Sequence, residues 1–250
     1  MRFKDRVAIV TGGGRDIGRA VSLRLAAEGA RVCINFANDE ASAAETLATI
    51  LAAGGRAILH QADVTKTSEV EGLIAATQAA FGARIHILVN LAGGMVARKT
   101  LVEMDEDFFD QVLDLNLKSA FLMTRAVVPH MDQGDAIINF ASLAGRDGGG
   151  PGASIYATSK GAVMTFTRAM AKELGPRGIR VNALCPGMIS TRFHDTFSKD
   201  EVRKAVAGAT PLRREGRSEE VAEAAAFLAS DAAAFITGVN LDINGGLYLS

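Results

Sequence analysis

The chain has 250 residues, 48% of them hydrophobic and 22% charged, which is enough apolar material for a substantial core. Its formal net charge of −1, with no long run of Lys or Arg, argues against a nucleic-acid or anionic-membrane partner. No apolar stretch reaches transmembrane length, and the only cysteines, Cys33 and Cys185, form no framework, which predicts reduced thiols in a cytoplasmic protein.

In chain order, Arg6 to Thr11 is a short apolar run bounded by charge, the pattern of a buried parallel strand. It follows so soon after Met1 that no secretory leader is expected. Gly12, Gly13 and Gly14 come next, then Arg15, Asp16, Ile17 and Gly18, then a helix-periodic stretch to Glu28. A strand, a glycine turn and a helix start make a phosphate cradle. The glycines admit a pyrophosphate close to the backbone, and the free N–H groups of the helix start attract anions. Further strands are predicted near 31–36, 56–62, 86–90, 135–141, 179–184 and 238–242. Helices are predicted near 16–28, 40–53, 67–81, 106–131, 154–174 and 218–229. This alternation specifies a seven-stranded parallel sheet with right-handed crossovers and helices on both faces, a doubly wound α/β domain spanning residues 1–250. A ligand crevice is expected at the carboxyl ends of the strands.

Tyr156 and Lys160 stand four residues apart on the helix predicted over 154–174, on one face and about one turn from each other. A free phenol has a pKa of ~10 and is a poor proton carrier at neutral pH. A nearby ammonium favours the phenolate and lowers that value, giving a group suited to exchange a proton with an alcohol or carbonyl. Ser142 lies shortly before the pair. No cluster of His, Cys and carboxylates has metal-ligand spacing, and no Gly-x-Ser-x-Gly elbow is present.

Taken together these residues resemble the short-chain dehydrogenase/reductase family. The matching positions are Thr11, Gly12 and Gly18, then Asn90-Leu91-Ala92-Gly93, Asn116, Ser142, Tyr156 and Lys160, then Pro186-Gly187 and Asn244-Gly245-Gly246. They span essentially the whole chain, in order, and look most like 3-oxoacyl-carrier-protein reductases and their relatives. The resemblance implies a Rossmann fold and a nicotinamide cofactor. It also implies that Tyr156 donates a proton to the developing alkoxide, Ser142 polarises the same oxygen, and Lys160 lowers the phenol pKa and holds the nicotinamide ribose. Asn116 would position a water that links Lys160 to solvent. Pro186, Gly187, Ile189 and Thr191 would wrap the carboxamide, Asp63 and Val64 the adenine, and Ala92 and Gly93 would lie along the cofactor. Asn90 would tie strands together beside the adenosine half. A lid over the substrate is expected near 188–210, and a homotetramer is implied.

Three departures stand out. Asp16 replaces a family glycine, where a carboxylate would repel a pyrophosphate unless it turns outward as a helix-start acid. Leu91 replaces an Asn. Ser142 and Tyr156 are 14 apart, one more than in close relatives, and the extra residue is assigned to the loop Gly148 to Gly152. For the cofactor, Phe36 occupies the position where an acid would select NAD, and Arg15 suits a 2′-phosphate, so NADP(H) is preferred with NAD(H) left open. A 3-oxoacyl thioester is the favoured substrate class. An acyl carrier protein partner is in doubt, because Arg168, Lys172 and Arg177 offer only one side of a basic patch and 128–134 is poor in base. The rival within the enzyme class is a dehydrogenase or reductase of a free ketone, polyol, sugar or cyclic alcohol, and the rival outside it is a non-catalytic nucleotide-binding regulator. His60 and His86 are read as structural, His130 as a helix-end cation, and His194 as part of the lid.

Overall fold

In the computed structural model, which describes residues 1–250, the strands follow the expected alternation. They are β1 (Val7–Val10), β2 (Arg31–Phe36), β3 (Arg56–Gln61), β4 (Ile87–Asn90), β5 (Ala136–Phe140), β6 (Arg180–Pro186) and β7 (Asn240–Ile243). All seven run parallel in one sheet, in the order β3-β2-β1-β4-β5-β6-β7. The chain winds outward from β1 in one direction, then returns to β4 and winds the other way. This reversal opens a crevice between β1 and β4 at their carboxyl ends.

The helices are α1 (Asp16–Ala27), α2 (Glu40–Ala52), α3 (Thr67–Phe81), α4 (Glu106–Leu113), α5 (Ser119–Val127), α6 (Ala144–Asp147), α7 (Ser154–Leu174), α8 (Arg192–Phe197), α9 (Asp200–Ala209) and α10 (Ser218–Ala229). Strand periodicity sorts the core into two layers. Ala8, Val10, Val32 and Ile34 join Val21 and Leu25 of α1 and Val221 and Leu228 of α10. Ile9, Cys33 and Leu88, one residue out of phase, join Leu73 of α3, Met123 of α5 and Leu174 of α7. Both cysteines are free and wholly buried, and desolvation pushes each thiol up to about 11. His86 accepts a hydrogen bond from Val7 N at 3.0 Å, and burial holds it down to about 4, so it is a neutral structural group. No helix is long and apolar enough to cross a membrane.

The helix expected over 106–131 is present without a gap from Glu106 to His130, but it is not α-helical throughout: a π turn over Asp114–Lys118 joins α4 to α5, and a 3-10 turn over Val128–His130 closes the segment. The cause of the π turn is Asn116. Its Nδ2 donates to Val112 O at 2.9 Å, the carbonyl four residues back, and to Gly94 O at 2.8 Å. A side-chain amide that takes an i−4 carbonyl competes with the main chain, and the turn widens to accommodate it.

Candidate active site

The carboxyl ends of the strands enclose a cleft of about 620 Å³. At one end lies the turn between β1 and α1. A Cβ on Gly18 would stand 2.0 Å from Gly12 O, and one on Gly14 would stand 2.8 Å from the Ala43 Cβ. These glycines are therefore dictated by backbone packed on backbone. Gly12 N donates to Asn35 Oδ1 at 3.4 Å, and Asn35 Nδ2 donates to Ala62 O at 3.0 Å, so β2 and the β3 exit hold the turn. Thr11 Oγ1 accepts from Leu91 N at 2.9 Å and Ala92 N at 3.0 Å, which ties the exits of β1 and β4. Gly18→Ala is expected to displace the Gly12 carbonyl and weaken dinucleotide binding by about a hundredfold, from ~3 kcal/mol of overpacking. Fluorescence titration checks this, with Gly72→Ala as control. Gly72 lies mid-α3, and a Cβ added there would meet only His60 Nε2, at 3.8 Å, so alanine should add about 1 kcal/mol of stability.

Arg15, Asp16, Ile17, Phe36, Asp63 and Val64 line this end, as expected of the adenosine and pyrophosphate side. Gly18 lies behind the turn rather than on the cleft. Asp16 does not turn freely outward. It sits in the left-handed backbone region at φ +49°, accepts from Arg15 Nη1 at 3.0 Å, and accepts from Arg192 N at 3.2 Å. Asp63 both lines the cleft and closes its own turn, since its Oδ1 accepts from Thr65 N at 3.0 Å and Thr65 Oγ1 at 2.7 Å. Asn90 lies below the cleft, where its Nδ2 donates to Asn139 Oδ1 at 2.9 Å and Thr124 Oγ1 at 3.2 Å. It ties β4 to β5 and α5.

At the other end Ser142, Tyr156 and Lys160 converge. Ser142 leaves β5, and its Oγ accepts from Ala144 N at 3.1 Å. Tyr156 and Lys160 occupy one face of α7, as their spacing requires. Lys160 Nζ donates to Phe140 O at 2.8 Å and lies 5.8 Å from the Tyr156 ring centroid. A Cβ on Gly93 would meet Asn116 Oδ1 at 2.7 Å and Lys160 Nζ at 3.0 Å. Gly93 thus leaves room for both the Asn116 oxygen and the Lys160 ammonium, and a side chain there would displace one of them. Asn116 itself is buried behind the wall, its Oδ1 accepting from Gly94 N at 3.0 Å.

This geometry can be set beside known proteins. The family model described as enoyl-(acyl carrier protein) reductase matches residues 12–248. The 3-oxoacyl-[acyl-carrier-protein] reductase of Synechocystis sp. is 42% identical over 98% of this chain and 97% of its own. The chain belongs to the short-chain dehydrogenase/reductase family. The enzyme of the same description from Staphylococcus epidermidis is 38% identical over 98% of this chain and all of its own. Among solved structures, a short-chain dehydrogenase/reductase of Serratia marcescens superposes with a TM-score of 0.93 at 33% identity, covering 99% of both chains. A short-chain dehydrogenase of Burkholderia cenocepacia in complex with NADP gives 0.92 at 33% identity, again covering 99% of both. The protein is accordingly an NAD(P)-dependent oxidoreductase with a Rossmann-type sheet.

In this short-chain dehydrogenase/reductase, burial controls the protonation of the pair. Desolvation raises the phenol of Tyr156 above its ordinary value, against the lowering influence of the nearby Ser142 hydroxyl. Desolvation lowers Lys160 from 10.5 to about 8. Lys160, whose ammonium donates to the Phe140 carbonyl, is not among the groups that set the direction of the phenol pKa, and burial of the phenol outweighs the expected lowering.

The far wall carries Pro186, Gly187, Ile189 and Thr191. Thr191 Oγ1 donates to Ile189 O at 3.1 Å, and Ile189 bridges Gly216. Beyond it α8 and α9 cover the Tyr156 end of the cleft, where Phe193 packs 5.9 Å from the Tyr156 ring and 5.1 Å from Phe197. Arg98 fastens this cover: Nε donates to Phe197 O at 3.0 Å and Nη1 to Pro151 O at 2.8 Å. The loop before α7, to which the extra residue is assigned, holds Gly148, Gly149 and Gly152 at positive φ. His194, with burial lowering its pKa, also lines the cleft and bonds Ser198 Oγ at 3.0 Å. Asn35, Asp39, Arg98 and Phe193 are members of the site that the sequence pattern does not announce. Asn35 in the apolar run of β2 is the one readable signal, as a polar residue at a position that faces the core. No group of three or more His, Cys, Asp or Glu side chains is arranged to hold a metal ion.

Proposed function

We propose that the protein is an NADP(H)-dependent reductase of 3-oxoacyl thioesters. The convergence of Ser142, Tyr156 and Lys160 at one end of a cleft whose other end is the glycine turn carries this reading. The residues fit a dinucleotide: Gly14 and Gly18 leave space only for backbone, Arg15 lies at the rim of the cleft, and the β2 end presents Phe36 rather than an acid. Asp39, the nearest carboxylate beyond β2, is already occupied as the cap of α2, accepting from Ser42 N at 3.1 Å. The NADP-bound relative supports the choice of NADP(H) over NAD(H).

The reduced nicotinamide, when bound, supplies the hydride to the carbonyl carbon. The carbonyl oxygen sits against Ser142 and Tyr156. Ser142 donates a hydrogen bond as negative charge develops there, and Tyr156 donates its proton. The raised phenol pKa keeps that proton in place at neutral pH. Lys160 and Asn116, both close to Gly93, form the route by which Tyr156 is reprotonated. Residues 188–210, with α8 and α9, act as a lid that excludes water through Phe193 and Phe197.

Two relatives described as 3-oxoacyl-[acyl-carrier-protein] reductases support the substrate class. For a carrier-protein partner, Arg168 and Lys172 are exposed on α7, but Arg177 donates to Val128 O at 3.0 Å and Met131 O at 2.9 Å and is committed to that turn. A homotetramer accords with the exposed Phe109 of α4 and Phe121 of α5.

The test is oxidation of NADPH and NADH with acetoacetyl thioesters of coenzyme A and carrier protein, beside small ketones and sugars. Turnover of NADPH with a thioester is expected. Activity confined to a free ketone or polyol would keep the chemistry and replace the substrate. Tight NADPH binding with no reduction of any carbonyl would favour a non-catalytic role.

A further inference from the structure

Asp16, which lines the cleft, and Arg192, at its rim, have no part in this chemistry. Asp16 occupies a left-handed position, φ +49°, that glycine adopts without strain, and it brings a carboxylate into a turn suited to phosphates. Arg192, the first residue of α8, donates its main-chain N–H to Asp16 Oδ1 at 3.2 Å across 176 positions of sequence. The Arg192 guanidinium then reaches the end of β2, where Nη1 donates to Asp39 Oδ2 at 3.2 Å. Asp39 has partners without it, since Ser42 N and Ser42 Oγ both donate to its carboxylate, at 3.1 and 2.9 Å. The Arg192–Asp39 pair is also open to water, with 62% and 38% of the two side chains exposed, so it is easily exchanged for a stronger acceptor. Arg15 bears on the same carboxylate. Two guanidiniums thus gather at the rim beyond β2, the place where this fold receives the adenosine ribose.

We propose that Arg192 is a specificity-determining residue for the adenosine 2′-phosphate of NADP(H), carried on the lid and seated there by Asp16. The proposal rests on the NADP(H) reading above. When the dinucleotide binds, the 2′-phosphate replaces the Asp39 carboxylate as the acceptor of the Arg192 guanidinium. Phosphate offers more oxygens and more charge to a planar donor than a carboxylate does. Asp16 holds the main chain of Arg192 so that its side chain starts beside the rim. This role accounts for an acid in a backbone position that favours glycine. It also places one phosphate-reading group on the turn and another on the lid, so the dinucleotide that satisfies both also draws the lid onto the cleft.

The test is titration of NADPH and NADH into the full chain as wild type, Arg192→Ala, Arg15→Ala, Asp16→Asn and Asp16→Gly. Arg192→Ala is expected to weaken NADPH about tenfold, the loss of one charge-assisted hydrogen bond, and NADH less than about twofold. Its side chain is exposed, so the melting temperature should not move. Asp16→Gly should erode the NADPH preference in the same direction without lowering the melting temperature, because glycine relieves the backbone. Asp16→Asn keeps an acceptor oxygen for Arg192 N and should keep the preference. Equal weakening of both dinucleotides by Arg192→Ala, or none, overturns the proposal while the wild-type preference for NADPH stands. Tighter NADPH binding in both Asp16 variants overturns the seating role, since the carboxylate would then act by repulsion alone. A wild type that favours NADH, or neither dinucleotide, overturns the NADP(H) reading itself and the proposal with it.

Discussion

Tyr156→Phe is expected to cut turnover by about a thousandfold while NADPH affinity changes less than about twofold. A thousandfold corresponds to about 4 kcal/mol at ~1.36 kcal/mol per decade. The substitution removes one oxygen and keeps the ring. The ring is the part that packs with Ile155, Phe108 and Phe193, so the substrate end of the cleft should hold its shape. What disappears is the proton. Burial raises the phenol above its ordinary value, so it is protonated at neutral pH and ready to donate. No neighbouring group replaces it. The Ser142 hydroxyl is oriented by Ala144 N and is a far weaker acid, and the Lys160 ammonium faces the Phe140 carbonyl. Steady-state kinetics with saturating NADPH, beside a binding titration, check both halves of the expectation. A kcat within tenfold of wild type would remove Tyr156 from the chemistry, and loss of NADPH binding would make its role structural.

The parts of the site that depend on local sequence are legible in the sequence itself. Gly12 to Gly18 follow a strand of apolar residues, and the need for bare backbone in such a turn is a local matter. Tyr156 and Lys160 share a face because four residues make about one helical turn. The parts that depend on distant partners are not legible there. Asp16 reads as an ordinary helix-start acid, and only folding brings it to Arg192 N. The helical period runs unbroken through Asn116, so the π turn is invisible until Gly94 is placed against it. The direction of the phenol pKa escapes the sequence for a similar reason. A cation four residues away is visible there, whereas burial of the phenol and the competing Phe140 carbonyl belong to tertiary structure. Helices α8 and α9 are short and carry weak signals of their own. Their place is fixed by Arg98 and by ion pairs such as Arg203–Glu215, at 2.7 Å.

Lys160→Met should separate stability from activity. Lys160 is buried, and desolvation lowers its pKa from 10.5 to about 8. Holding the ammonium in place at neutral pH therefore costs about 3 kcal/mol, at ~1.36 kcal/mol per unit. Methionine has similar length and no charge, so it removes that cost. The lost hydrogen bond to Phe140 O offsets about 1 kcal/mol of the gain. At pH 7 the variant should be as stable as wild type or up to ~2 kcal/mol more stable. The pH dependence gives an independent signature. Between pH 8 and 10.5 the unfolded chain binds more protons at Lys160 than the native protein does. Wild-type stability from this group must therefore rise with pH across that window, and the rise should be missing in Lys160→Met. Turnover should nevertheless fall by at least about a hundredfold, because no cation then stands beside the phenol and Asn116 at Gly93. Urea unfolding at pH 7 and pH 10, with kinetics on the same preparations, tests all three statements. A variant less stable at pH 7 by more than ~2 kcal/mol, or one that keeps the wild-type rise, would mean that the buried ammonium is not strained in the native site. Wild-type turnover would place the proton route elsewhere.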